Sequence, residues 1–153
     1  MAQHLKTTKY NDGTPIPVIN RSLSWKSMTS PAYYLYNDYA TDKKVTYGAL
    51  YNWYTVNTGK LCPKRWHIPT DSEWKILEIN IMMDLYEVEH IGWRGTNQGD
   101  KLKNTYGWHL PDNGTNTTGF SALPGGSINN SGEFVSVEIN GNWWSSTELF
   151  EEN

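Results

Sequence analysis

The chain is poor in cysteine, in aliphatic residues and in charge. Its one cysteine, Cys62, excludes an internal disulfide and any zinc site built on several thiolates. No run approaches the ~20 apolar residues of a membrane helix. No cluster of Lys and Arg supplies the electrostatic footprint of a nucleic-acid binder. The first residues, Met1-Ala2-Gln3-His4-Leu5-Lys6, lack the apolar core of a secretory leader. Leu, Ile, Val and Phe total 29 of 153 residues, or 19%. In a highly charged chain so few would mean disorder. Here the formal charge is −3 and charged residues are 19%, which removes that reading.

What is abundant is aromatic: 8 Trp and 10 Tyr. Each large ring can bury roughly 150–250 Å², so aromatics can build the core that aliphatics cannot. The length predicts a single domain over 1–153, with no internal repeat and no linker.

Residues 1–46 read as irregular with short extended pieces. Asn11-Asp12-Gly13-Thr14-Pro15 has the composition of a turn. Ser22-Leu23-Ser24-Trp25 can start a short helix or turn, and Tyr33-Tyr34-Leu35-Tyr36 is strand-prone until Asn37-Asp38 ends it. From Tyr47 to Val56, Leu50, Trp53 and Tyr54 share one helical face, and Asn57-Thr58-Gly59 can stop a helix. The strongest local signal is Pro69-Thr70-Asp71-Ser72-Glu73. It predicts a capping box, with Thr70 at the N-cap and Glu73 at N3, and a helix from Asp71 to about Met82. Met83 to His90 reads as a second, short helical piece. After Gly92 the chain turns loop-like, and Pro111 to Gly119 is almost devoid of apolar residues. Phe120–Leu123, Glu133–Val137 and Asn142–Thr147 read as short strands. The order predicts an α+β fold of two helices, long loops and short antiparallel strands.

The motifs Tyr47-Gly48-Ala49-Leu50-Tyr51-Asn52-Trp53-Tyr54, Gly59-Lys60-Leu61-Cys62-Pro63, Trp66-His67-Ile68-Pro69-Thr70-Asp71, Gly119-Phe120-Ser121-Ala122-Leu123-Pro124-Gly125-Gly126 and Trp143-Trp144-Ser145-Ser146-Thr147-Glu148 occur in a family's order. The chain resembles the Fibrobacter succinogenes major paralogous domain of bacterial surface proteins. That resemblance implies a C-type-lectin-like fold, distantly similar to formylglycine-generating enzymes, and a secreted or cell-surface setting. It implies no chemistry. The family's Trp-Trp-Ser-Ser-Thr segment is followed by further strands, one bearing a second Cys. Against that pattern this chain reads as clipped at both ends and lacking its C-terminal strands. Cys62 is then expected to be a buried free thiol, with an intermolecular disulfide as the alternative. An unfilled sheet edge would favour a dimer.

Catalysis finds little support in these residues. The formylglycine-generating fold holds copper with a cysteine pair, which Cys62 cannot supply alone. His67 reads as a structural residue before the capped helix, and His4, His90 and His109 lack ligand spacing. Asp71 and Glu73 are explained by capping, and Glu151-Glu152 by a chain-end cluster. No cofactor is expected. For calcium, which wants several oxygen ligands, the candidates are Asp100, Asp112 and Glu148, without a recognised motif. For ligand binding, Trp93 and Trp108 lie in polar loop stretches, with Asn113 and Asn116 beside them. Trp143-Trp144 alternates in an expected strand, so one ring, taken as Trp144, should face outward. Trp53, Trp66 and Trp74 are expected in the core. The leading expectation is a non-catalytic extracellular binding or adhesion module for a glycan or a surface protein, working through residues 92–118. The alternatives are a spacer domain without a small ligand and, last, an enzyme of the formylglycine-generating type.

Overall fold

A computed structural model describes residues 4–19, 27–36 and 41–149. The expected piece at Ser22–Trp25, the end signal at Asn37-Asp38 and the Glu151-Glu152 pair lie outside them. The elements, in order, are β1 (Val18–Ile19), β2 (Tyr33–Leu35), α1 (Thr41–Tyr47), β3 (Ala49–Tyr51), α2 (Trp53–Val56), α3 (Asp71–Asn80), α4 (Leu85–Val88), α5 (Gln98–Leu102), β4 (Ser127–Ile128) and β5 (Phe134–Val135). The architecture is α+β, with five short helices among the described residues rather than the two expected.

β1 pairs in parallel with β2, and β2 pairs antiparallel with β3, with Tyr33 opposite Tyr51 and Tyr34 opposite Leu50. β4 and β5 form a separate antiparallel pair. Phe134 of β5 joins the two sheets. Its ring stacks on Tyr36 at 4.3 Å and meets Tyr34 edge-on at 5.1 Å.

The helix expected over Tyr47–Val56 is corrected to a helix end, a strand and a second helix. Gly48 takes φ +74°, a left-handed conformation that terminates α1. Ala49–Tyr51 then hydrogen-bond to β2, with Ala49 and Tyr51 buried and Leu50 between them half-buried. The apolar spacing of Leu50, Trp53 and Tyr54 spans two elements. Pairing with a neighbouring strand outweighs the helical pattern, because that pairing satisfies the backbone of a buried segment.

The core is aromatic, but it is built of tyrosine. Tyr33 and Tyr51 are buried with Ile16, Ala49, Val56 and Leu61, and Tyr34, Tyr36 and Tyr47 are buried beside them in sequence but grouped with Phe134 and one another. Burying a phenol requires a partner for its hydroxyl. Tyr51 donates to Thr7 O at 2.8 Å, and Tyr36 donates to Gly125 O. Burial pushes both phenols well above the usual tyrosine range. The expected tryptophan core is corrected accordingly. Trp66 is 72% exposed, whereas Trp53 and Trp74 are half-buried at the margin.

α3 starts at the expected box. Thr70 accepts from Glu73 N, and the Glu73 carboxylate accepts from Thr70 N at 2.8 Å. No strand forms over Asn142–Thr147. That segment instead runs beside the start of α3. Ser146 N donates to Pro69 O at 2.8 Å, Asp71 N donates to Thr147 Oγ1 at 3.0 Å, and Trp74 Nε1 donates to Trp144 O at 3.2 Å. Its partners are a loop and a helix N-terminus, so no ladder can develop.

His4 sits mostly buried, its ring 6.1 Å from that of Trp143, with no partner for Nε2. Burial, and then the charge of Lys6, lowers its pKa below the ordinary 6.5. The unfolded chain therefore binds a proton at a pH where the folded chain does not. The neutral ring's contribution is fully present above about pH 6.5 and is lost as the pH falls below that value toward the folded pKa. Melting temperatures between pH 7.5 and 5.5 should fall less in His4→Gln than in the wild type. Equal slopes would refute this account.

Candidate functional site

The surface expected to bind lies after α3, and its geometry starts from ion pairs. Lys75 of α3 reaches Asp71 at 3.1 Å and Glu89 at 2.6 Å, which folds α4 back along α3. Asp84 caps α4 by accepting from Tyr86 N at 2.8 Å. Arg94 then closes the following loop. Its guanidinium binds the Glu78 carboxylate through Nε and Nη2 at 2.8–3.2 Å and donates through Nη1 to His90 O at 2.6 Å. Arg94 and Glu78 are both largely shielded, with 18% and 19% of their side chains exposed, so this fork pins residues 90–94 to α3. Trp93, held between these anchors, points outward and is 98% exposed.

The other expected platform is corrected. Trp108 is 9% exposed. Its indole Nε1 donates to Ala122 O at 3.0 Å, and Lys103 Nζ lies 5.0 Å from the ring centroid. The polar stretch around it hid a ring that the chain needed for its own packing. Asn113 and Asn116 are likewise engaged internally. Asn113 Oδ1 accepts from Trp108 N at 3.1 Å. Asn116 accepts from Ser121 N at 2.8 Å and donates to Ser121 Oγ at 3.0 Å. Neither is gathered beside Trp93 by any of these contacts. Trp144 is partly exposed, its Nε1 donating to Tyr51 O at 2.8 Å and its ring 5.9 Å from Trp53.

The calcium candidates do not converge. Lys103 Nζ lies 3.3 Å from Asp100 Oδ1 and 3.5 Å from Asp112 O, so an ammonium already stands between them. Glu148 is exposed in the segment beside α3. Among the described residues no group of three His, Cys, Asp or Glu side chains is arranged to hold a metal ion.

His67 Nε2 lies 2.8 Å from Glu73 Oε1, a pair that resembles an acid–base couple. The Glu73 carboxylate, however, is held by Thr70 N and Thr70 Oγ1 as the helix cap. The Thr70 N bond first, then the His67 contact and the Thr70 Oγ1 bond, keep it below the usual carboxylate range. Cys62 is a half-buried free thiol, raised in pKa by burial, which makes it a poor nucleophile.

Reasoning from sequence missed the apolar surface beside Trp93: Met82, Leu85, Tyr86 and Ile91 are all exposed. A signal existed. Ile76, Ile79, Ile81 and Met82 follow one another too closely for a single buried face of a short helix.

Among the described residues no helix is long and apolar enough to cross a membrane. Comparison with curated proteins and with solved structures gave no match. The profile of the Fibrobacter succinogenes major domain matches residues 1–153. The chain therefore belongs to the Fibrobacter succinogenes major domain family.

Proposed function

We propose that the domain is a non-catalytic binding module of C-type-lectin-like architecture, working outside the cell or at its surface. It engages its ligand through Trp93 and the surface around it. The observation that carries this reading is a tryptophan at 98% exposure on a loop braced by the Arg94–Glu78 fork. A ring left in water represents roughly 150–250 Å² of unburied surface. At about 25 cal/mol per Å², covering it is worth roughly 4–6 kcal/mol before the costs of association. Because the loop is already fixed, little ordering entropy opposes binding. A glycan would use the ring face as a stacking platform, and a protein surface would cover it.

The test is a glycan array together with a panel of immobilised cell-surface proteins. Tryptophan emission is recorded on the wild type, Trp93→Ala and Trp93→Phe. At least one hit is expected, weakened about tenfold or more in Trp93→Ala and largely retained in Trp93→Phe, with unchanged melting temperatures. No hit on either panel, or hits indifferent to Trp93→Ala, would leave the spacer reading in its place.

A further inference from the structure

The neighbours of Trp93 indicate what kind of ligand would cover it. Met82 ends the turn after α3, Leu85 and Tyr86 open α4, and Ile91 precedes Trp93; each of the four is at least two-thirds exposed. They form one surface because the helical hairpin and its loop are stitched together. Lys75 ties α3 to Glu89, the Tyr86 ring meets the His90 ring edge-on at 4.6 Å, and Arg94 ties residue 90 to Glu78.

Its size sets it apart from ordinary exposed apolar residues. Trp93 and Tyr86 alone place roughly 300–400 Å² in water. Those two rings alone fall within the ~300–600 Å² of the largest patch on a typical monomer, and Met82, Leu85 and Ile91 add to them.

Its rim is acidic. Leaving out Glu73, which caps α3 beside His67, residues 71–94 hold five acidic and two basic side chains, a balance of −3. Lys75 is shared by Asp71 and Glu89, and Arg94 is matched by Glu78. Asp84 and Glu87 accept only backbone N–H groups, from Tyr86 and Gly95. Lys101 reaches the same turn, with Nζ on Ile81 O at 2.7 Å, and an excess of acid remains.

We infer that this hairpin face, Met82 to Trp93, docks a polypeptide segment that presents apolar side chains flanked by Lys or Arg. The inference rests on the binding-module reading and narrows its ligand to a polypeptide. Charge chooses among the occupants. A second copy in a symmetric contact would set acid against acid. An anionic lipid surface would be repelled by the same rim. A sugar would find aliphatic neighbours around Trp93 and carboxylates already engaged by backbone N–H groups, Lys75 or Arg94. A basic, apolar segment satisfies both the face and the rim.

The probes are two synthetic amphipathic peptides, one of Leu and Lys and one of Leu and Glu, titrated by calorimetry against the full chain. The Leu/Lys peptide should bind at least about tenfold more tightly than the Leu/Glu peptide, and less tightly as salt is raised. Ile91→Ser should weaken it about tenfold without moving the melting temperature. Glu89→Lys, which reverses an exposed rim charge, should narrow the gap between the two peptides. Three outcomes would overturn the inference: equal binding of both peptides, indifference to Ile91→Ser, or binding to phosphatidylglycerol vesicles in preference to the Leu/Lys peptide. A concentration-dependent dimer that Met82→Asp abolishes would also overturn it, with a second copy as the occupant. A glycan hit sensitive to Trp93→Ala with no peptide binding would sink this inference and leave the binding-module reading standing. No ligand on any panel and no peptide binding would sink both.

Discussion

Asn52→Ala is expected to lower the unfolding free energy by about 2–3 kcal/mol, the loss of one helix cap plus one buried hydrogen-bond junction. Asn52 caps α2 by accepting from Thr55 N at 3.0 Å. The same oxygen accepts from Ala32 N at 3.1 Å and from Thr55 Oγ1 at 2.9 Å, while Nδ2 donates to Ser30 O at 2.8 Å. Ala32 and Thr55 are fully buried at 0% exposure, so water cannot replace these bonds. Thr55→Val should cost less, about 1–2 kcal/mol. It removes the Thr55 Oγ1 contacts to Ala32 O at 2.8 Å and Ala32 N at 2.7 Å, yet leaves Asn52 serving both Ala32 groups, its N donating to Ala32 O at 3.2 Å. In a domain of this size the larger loss would lower the melting temperature by roughly 5–10 °C. Urea titration of the two variants measures both. An Asn52→Ala no less stable than Thr55→Val would contradict the junction described.

Gly126→Ala is expected to cost about 3 kcal/mol or more. Gly126 adopts φ +66°, and a Cβ there would stand 2.4 Å from Val135 O and 2.8 Å from Val137 N. Both obstacles are backbone, so neither can rotate away. The residue also holds the β4–β5 hairpin in place, donating to Asn140 O at 2.7 Å and accepting from Asn142 Nδ2 at 3.0 Å. Gly119 supplies the control. It has φ +70° but open space where its Cβ would go, so Gly119→Ala isolates the conformational cost of about 1 kcal/mol. Thermal or urea unfolding of the two variants should separate them by at least ~2 kcal/mol. Equal losses would mean that β5 yields to the methyl group.

Local chemistry was legible in the sequence; long-range pairing was not. The Thr70/Glu73 box could be read because every group in it lies within four residues. The aromatic basis of the core followed from the scarcity of Leu, Ile and Val, but which rings are inside did not. Tyr33 and Tyr51 meet only because β2 and β3 pair, and Trp66 lies outside on its turn, as a ring of the same apolar character need not be buried. Around Trp93 and Trp108 the surrounding residues look equally polar. Their opposite fates depend on Ala122 and Asn113 in one case and on the Arg94–Glu78 fork in the other, contacts that no short window contains. Asn113 and Asn116 were read as ligand amides because an exposed amide and one that satisfies a loop backbone have the same sequence.

The buried phenols of Tyr33, Tyr36 and Tyr51 and the exposed indoles of Trp66 and Trp93 have an optical consequence. The indole emission of Trp66 and Trp93 will report the hydration of the surface, and replacing Trp93 isolates its share from that of buried Trp108. Near-ultraviolet dichroism from the immobilised phenols of Tyr33, Tyr36 and Tyr51 will report the interior. Ligand capture and global unfolding can therefore be followed in one cuvette on two separate chromophores.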